Sequence, residues 1–346
     1  MKPAQCSGRL WGLAPSALLL AAWVGAASAA LPVQPLERIA FGSCNRADRP
    51  QPLWAPILAV QPDLWIWTGD IIYADTTDMQ RMAEGYARQK AESGYVALRR
   101  TVPVMGIWDD HDYGRNDAGA EYPQKKQSAK LLLDFLDEPE DSPRRQQEGL
   151  YTARVFGPTG RRVRVLLLDT RYHREPPGVG ADPLGTEQWN WLAQQLESAA
   201  HEFVVLVSSI QVLNEANPYE SWGRYPRARA RLLKMIESSA ALGLVLVTGD
   251  RHFAEIARWG SAQLRYPLIE VTASGLTHSW KDFPGEPNPY RSGPVYTGLN
   301  FGVLRFQWQG QGVELAVEVR DRSGAAVHQV AQWYPSTGLE NADASR

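Results

Sequence analysis

Short, largely apolar runs bounded by turn residues recur along this chain, most of them followed by a stretch with helical spacing. The first half holds three such runs, at residues 36–41, 63–68 and 101–108. Runs of this kind read as strands buried on both faces. Residues 51–60 and 124–136 read as helices, and 76–100 as one long helix with Met79, Met82, Tyr86, Tyr95 and Leu98 on its apolar side. A link rich in Pro and charge spans 137–149. Residues 151–156 and 162–168 form a hairpin pattern around Gly157-Pro158-Thr159-Gly160. Buried strands follow at 203–208, 242–247 and 268–272, with helices over 186–199 and 227–239. Two late alternating stretches, 300–307 and 312–319, point to a second, more antiparallel sheet or edge. Strands alternating with helices predict an α/β core, here as one catalytic domain over 36–335, with a polar tail at 336–346.

The strand ends carry the chemistry. Trp65-Ile66-Trp67-Thr68 runs into Gly69-Asp70, with Tyr73 three positions on. Ligands of open α/β sheets gather at the carboxyl ends of strands, and a carboxylate there is costly to bury without compensation. Asp70 therefore reads either as a metal ligand or as a cap on the next helix. Other strands end alike: at Ser43-Cys44-Asn45, at Asp109-Asp110-His111-Asp112, at Gly249-Asp250-Arg251-His252, and at Asp169. Converging carboxylates raise one another's pKa, a conflict that a cation relieves. With Cys44 as thiolate and Tyr73 as phenolate beside Asp70, Asp110 and Asp250, the negative charge fits two ions, one of them trivalent. Phenolate and thiolate donors suit Fe3+, whereas carboxylate and amide oxygens suit Ca2+, Mg2+ or Mn2+. The chain has 6 histidines, and only His111 and His252 stand at these strand ends, too few for a histidine-rich dizinc site.

Composition narrows the setting. The 346 residues are 44% hydrophobic with net charge −2, which suits a globular enzyme and leaves no basic footprint for nucleic acid. Lys2 and Arg9 precede an apolar run from Leu10 to Ala27 that ends in Ala27-Ser28-Ala29-Ala30. This is the pattern of a secretory signal over 1–29. The alternative, an uncleaved membrane anchor, is disfavoured by Gly12 and Pro15 within the run. Export is to the periplasm or the extracellular space, with no stable membrane span after cleavage. Of the 2 cysteines, Cys6 lies inside the signal, so Cys44 keeps no partner. It reads as a small core residue, a reactive thiol or a thiolate ligand.

Taken together, these residues resemble the calcineurin-like metallophosphoesterases, and within them the alkaline phosphatase D (PhoD-like) family. The motifs are Phe41-Gly42-Ser43-Cys44-Asn45, Gly69-Asp70-x-x-Tyr73, Trp108-Asp109-Asp110-His111-Asp112 with Asn116, Leu168-Asp169-Thr170-Arg171, and Gly249-Asp250-Arg251-His252. The resemblance implies a four-layer α/β/β/α fold, a β-sandwich of two mixed sheets flanked by helices. It also implies a monomeric hydrolase of phosphate mono- or diesters that uses a metal-activated hydroxide. Asp70 would bridge two metals, Fe3+ and Ca2+, and Cys44 and Tyr73 would bind the ferric ion. Asp110, Asn116, Asp250 and His252 would complete the sites, and His111 would hold the phosphate or assist the leaving group. Arg251, Arg171 and, less favoured, Arg115 are candidates for phosphate oxygens or for ordinary ion pairs. Two departures stand out. The superfamily's first Asp-x-His is replaced by Ser43-Cys44-Asn45, and the late Gly-His-x-His reads Gly249-Asp250-Arg251-His252. Larger members carry an extra N-terminal domain, for which there is little room here.

Bland roles are assigned to the remainder. Asp109 orients His111, and Asp169 holds the Arg171 loop. His278 follows a strand that would place it over the cleft, while Trp222 and Trp280 are packing residues or line a substrate groove. Two further functions compete: a phospholipase-like diesterase for lipid head groups, favoured by the aromatic loops 217–225 and 282–296, and a metal-stabilised binding protein without catalysis.

Overall fold

Wholly apolar strands need cover on both faces, and the chain provides it with two stacked sheets and outer helices. The computed structural model describes Met1 and residues 34–336, so all but the first residue of the expected signal and of the polar tail lie outside the described residues. In chain order the elements are β1 (Arg38–Gly42), α1 (Trp54–Ala59), β2 (Leu64–Thr68), α2 (Met79–Lys90), α3 (Ser93–Thr101), β3 (Val104–Ile107), α4 (Asp110–Tyr113), α5 (Lys125–Phe135), β4 (Thr152–Phe156), β5 (Val163–Leu167), α6 (Thr186–Glu197), β6 (Phe203–Val207), α7 (Pro226–Glu237), β7 (Gly243–Thr248), β8 (Ala254–Trp259), β9 (Leu268–Ala273), β10 (Asn300–Gln309), β11 (Gly312–Asp321) and β12 (Ala326–Pro335).

The strands form two six-stranded sheets, ordered β12-β11-β10-β1-β2-β3 and β4-β5-β6-β7-β9-β8. β1, β2 and β3 run parallel, as do β5, β6, β7 and β9. The late strands are antiparallel as expected, but they extend the first sheet through β10 against β1 instead of forming a sheet of their own. This is the mixed sandwich that the resemblance implied.

Alternation along the central strands sorts side chains between two cores. Phe203, Val205 and Val207 of β6, with Val245 and Val247 of β7, pack in the core that the two sheets share. Val204, Leu206, Leu244 and Leu246 face the other way, into a second core with Trp189 and Leu192 of α6 and Leu232 and Ile236 of α7. Edge-to-face contacts of Phe203 with Phe306 and Tyr334 join the sheets. On the outer face of the first sheet, Trp54 packs at 5.4 Å from Trp65 and 5.5 Å from Trp67, and Tyr95 at 5.5 Å from Trp67. The helix expected over 76–100 is two: α2 stops at Ala91, and the Glu92 carboxylate accepts the Tyr95 N–H to start α3.

Candidate metal centre

The carboxyl ends of the parallel strands meet at one end of the sandwich. The turn after β2 needs Gly69, whose φ is +110° and where a Cβ would lie 2.6 Å from the Asp109 Cβ. It delivers Asp70 in a left-handed conformation, φ 48°. Cys44, Asp250 and His252 are also left-handed, at 59°, 69° and 57°. Such backbone in non-glycine residues concentrates at functional sites. Hydrogen bonds hold it here: the Asn45 N–H donates to the Asp70 carbonyl at 2.8 Å, and the Asn45 amide donates to the Ile71 carbonyl at 3.0 Å.

Potential ligand atoms crowd together. Cys44, Asp70 and His252 offer donors within 4.8 Å of one another, as do Asp70, Asp110 and His111, and Asp109, Asp110 and Glu220. The Cys44 thiol donates to Asp70 Oδ2 at 3.6 Å. The Tyr73 hydroxyl donates to the same oxygen at 3.1 Å and lies 2.9 Å from His252 Nε2. Asp70 Oδ1 is buried and has no hydrogen-bond partner among the described residues. Burial, with Asp110, Asp109, Asp112 and Asp250 close by, pushes the Asp70 carboxyl well above its ordinary value. Burial and Asp109 do the same to Asp250, and burial and Asp70 raise both Cys44 and Tyr73. Burial pushes Asp110 up as well, but Arg171, His111 and the backbone N–H groups of Asp117 and His111 more than offset it. Orphaned oxygen, mutually raised carboxyls, thiol, phenol and imidazole together fit a site for cations.

The Asp109 to Asp112 block splits by direction. Asp110 and His111 line a cleft of about 460 Å³ with Asp250, Arg251, His252 and Trp280. Asp112 turns inward and accepts the N–H groups of Ile71 at 2.9 Å and Asp109 at 2.7 Å. Asp109 does not orient His111. It accepts from Arg171 Nε at 2.7 Å and from the Ser209 hydroxyl at 2.8 Å. The partner of His111 is Asp75, whose carboxylate meets Nδ1 at 2.8 Å, and the His111 ring stacks on Tyr73 at 4.1 Å. Burial pulls His111 down, but Asp75 and Asp110 outweigh it and raise the imidazole to about 9. For His252, burial and His111 act in one direction and lower it to about 4.

The three arginines separate. Arg171, expected at the phosphate, is fully buried and ion-paired with Asp109 and Glu220, so its donors are spent inside the protein. Asp169 does hold its loop, accepting the backbone N–H groups of Arg171 and Tyr172. Arg115 stacks on Tyr122 and is absent from the cleft lining. Arg251 lines the cleft, is bound through one Nη to Glu286 at 2.8 Å, and keeps a buried Nε without a partner among the described residues. Asn116 is exposed at the cleft's edge and gives its backbone N–H to Asp75; Asp117, its neighbour, donates its N–H to Asp110. Trp222 is fully buried with its indole N–H on Ser208, a packing residue, whereas Trp280 lines the cleft. His278 stands 4.4 Å from His252 and 5.0 Å from Tyr73, centroid to centroid. Sequence reasoning missed Asp75 and Glu220. Asp75 sits two residues past Tyr73 and was readable from that spacing; Glu220 lies in a polar loop with no strand-end signal.

A family model of PhoD-like phosphatases matches residues 39–278. The chain belongs to the PhoD-like phosphatase family. Within this family it is similar to alkaline phosphatase D of Bacillus subtilis (strain 168), 26% identical over 222 residues, a match covering 54% of this chain and 37% of that protein. The match thus spans little more than a third of the curated relative's length. A solved structure described as the structure of PhoD superposes with a TM-score of 0.68 at 17% identity, covering 90% of this chain and 74% of the other, which shows the shared fold. The matched span of this PhoD-like chain opens within β1 and closes on His278, so it takes in every strand end that contributes to the cluster.

Proposed function

We propose that this chain is an exported, metal-dependent phosphoric ester hydrolase acting on phosphate mono- and diesters. The observation that carries the reading is the double membership of Asp70 and Asp110 in tight groups of ligand-type atoms, with one Asp70 oxygen buried and unpartnered. Cys44, Tyr73, Asp70 and His252 would hold a ferric ion; Asp70, Asp110 and Asp250 would hold a Ca2+ or similar oxygen-loving ion, with Asn116 at the edge. Such a pair supplies charge neutralisation for the ester and a water of lowered pKa.

The protein's own groups do the rest. His111 turns Nδ1 to Asp75, which leaves Nε2 for a substrate oxygen, where it holds the phosphate or hands a proton to the leaving group. The Tyr73 ring fixes the imidazole plane. Arg251, anchored by Glu286 and lining the cleft, is the candidate partner of a phosphate oxygen. Export rests on the N-terminal signal pattern. Among the described residues no helix is long and apolar enough to cross a membrane.

Elemental analysis of the purified mature protein, combined with a panel of phosphate mono- and diesters, tests the reading. Iron with calcium or another divalent ion is expected, with turnover of both ester classes. Zinc alone would overturn the Cys44 and Tyr73 assignment. His111→Ala should cost at least about a hundredfold in kcat, the usual share of a general acid, while metal content stays. A protein that binds metal and phosphate but turns over no ester in the panel is a binding protein instead.

A further inference from the structure

The cleft continues beyond the cluster onto an aromatic wall. Tyr219 is 51% exposed, an unusual degree for a large ring, and meets Trp280 edge-on at 5.7 Å. Both line the cleft, with Pro177 and Pro218 on the same stretch. The wall is held in place from behind. The Trp280 N–H donates to the His252 carbonyl at 2.6 Å, and the Tyr219 N–H donates to the Asn217 side chain at 2.8 Å. The Arg251 guanidinium lies 4.8 Å from the Tyr219 centroid and 5.9 Å from that of Trp280. Arg174 and Arg224 also line the cleft.

Resting on the phosphoesterase reading above, we infer that Tyr219 and Trp280 form the leaving-group subsite, and that it takes a planar aromatic group, as in an aryl or nucleoside ester. Three features select this class. A flat ring at the mouth of a polar cleft offers a stacking face, and stacking on such rings is sequence- and substituent-tolerant. The wall starts at Trp280, tied to His252 of the metal cluster, so a phosphorus held at the cluster places its leaving group against the rings. Arg251 opposes the alternative of a choline-type lipid head group: aromatic rings do capture quaternary ammonium, but here the Arg251 guanidinium already lies over both rings. The cleft volume of about 460 Å³ suits one small ester.

Equilibrium binding of non-hydrolysable probes to the metal-replete protein tests this separately from turnover. Phenylphosphonate, propylphosphonate and 2-(trimethylammonio)ethylphosphonate, a choline-type probe with a P–C bond, are titrated by calorimetry. The aromatic probe should bind about tenfold more tightly than the propyl one, a difference of about 1.4 kcal/mol, and the choline-type phosphonate should bind no better than propylphosphonate. Tyr219→Ala should bring the phenyl-to-propyl ratio close to one, and Tyr219→Phe should restore it. Equal affinities in the unsubstituted protein, a ratio that survives Tyr219→Ala, or a preference for the choline-type phosphonate would each overturn the subsite. The unsubstituted protein decides even where Tyr219→Ala does not fold, and an inert protein that still prefers the phenyl probe would sink the hydrolase reading alone.

Discussion

Asp70 shows how much a single residue is asked to tolerate. Its backbone is left-handed, its carboxyl is buried among Asp110, Asp109, Asp112 and Asp250, and one of its oxygens has no partner among the described residues. Each feature costs free energy in the protein without metal, and a cation bound there would relieve the electrostatic ones. The sign of the pH effect follows. A carboxyl whose folded pKa is raised is favoured in the protonated form on folding, so its contribution is lost as pH rises above the unfolded value. Asp70→Asn, which cannot ionise, should therefore stabilise the chelator-stripped protein at pH 8, by a few degrees in Tm for the ~1–3 kcal/mol that an unsatisfied buried group costs. The gain should shrink towards pH 4, and the same variant should lose bound metal. Thermal melts at the two pH values with elemental analysis check this; a chelated protein destabilised by Asn at both pH values would contradict it. That Asp70 sat at a strand end was legible from Trp65-Ile66-Trp67-Thr68-Gly69. That Asp109 and Arg171 are structural was not, because Arg171 reaches its partners Asp109 and Glu220 from 62 and 49 positions away.

Elements were legible where both faces are apolar and obscure where they are not. The central strands β1, β2, β5, β6, β7 and β9 all match expected runs. β8 was missed because Glu255, buried and paired with Arg291, breaks its pattern next to the Asp250 motif. β12 was missed because it is an edge strand with exposed Ala326 and Val327. The α2–α3 break is capped locally by Glu92, inside a pattern that reads as helix throughout, and it also carries a tertiary contact. Gly94, near the start of α3, faces Trp54 of α1 so closely that a Cβ would lie 2.4 Å from the Trp54 Cβ. Helix propensity alone favours Ala over Gly by about 1 kcal/mol, but the Trp54 Cβ is not a flexible end that can swing aside, and it is wedged against Trp65 and Trp67. Overpacking should win, so Gly94→Ala should destabilise by about 1–3 kcal/mol, read as a lower urea midpoint at unchanged slope. A midpoint that rises would show that α1 moves freely on the sheet.

At the scale of the molecule, the end that carries the ligand-type cluster is where the two sheets must be held in register, and buried charge holds them. Asp109 leaves β3 of the first sheet, whereas Arg171 follows β5 and Ser209 follows β6 of the second. Glu220 and Arg174 extend the network, with Arg174 also donating to the Tyr225 hydroxyl at 2.8 Å and the Asp117 carbonyl at 2.6 Å. The chain thus places an ion network directly behind Asp110 and the cleft, where an apolar plug would give no orientation to the carboxylate block. Removing one member is worse than removing all, because the remainder stays buried and unpaired. Arg171→Met should cost about 3–5 kcal/mol and, by loosening Asp109 and the loop to Asp112, should lower metal content although Arg171 touches no proposed ligand oxygen. Arg171→Lys should recover only part, since one ammonium cannot reproduce the fork that engages Asp109 and Glu220 together. The loss should also depend on pH. Burial raises Asp109 to about 7 even against Arg171; without the guanidinium it rises further, so the variant's deficit should grow as pH climbs through 7 and narrow near pH 5, where Asp109 is protonated. Urea unfolding at pH 5 and pH 8 distinguishes this from simple loss of packing volume, which would give the same deficit at both.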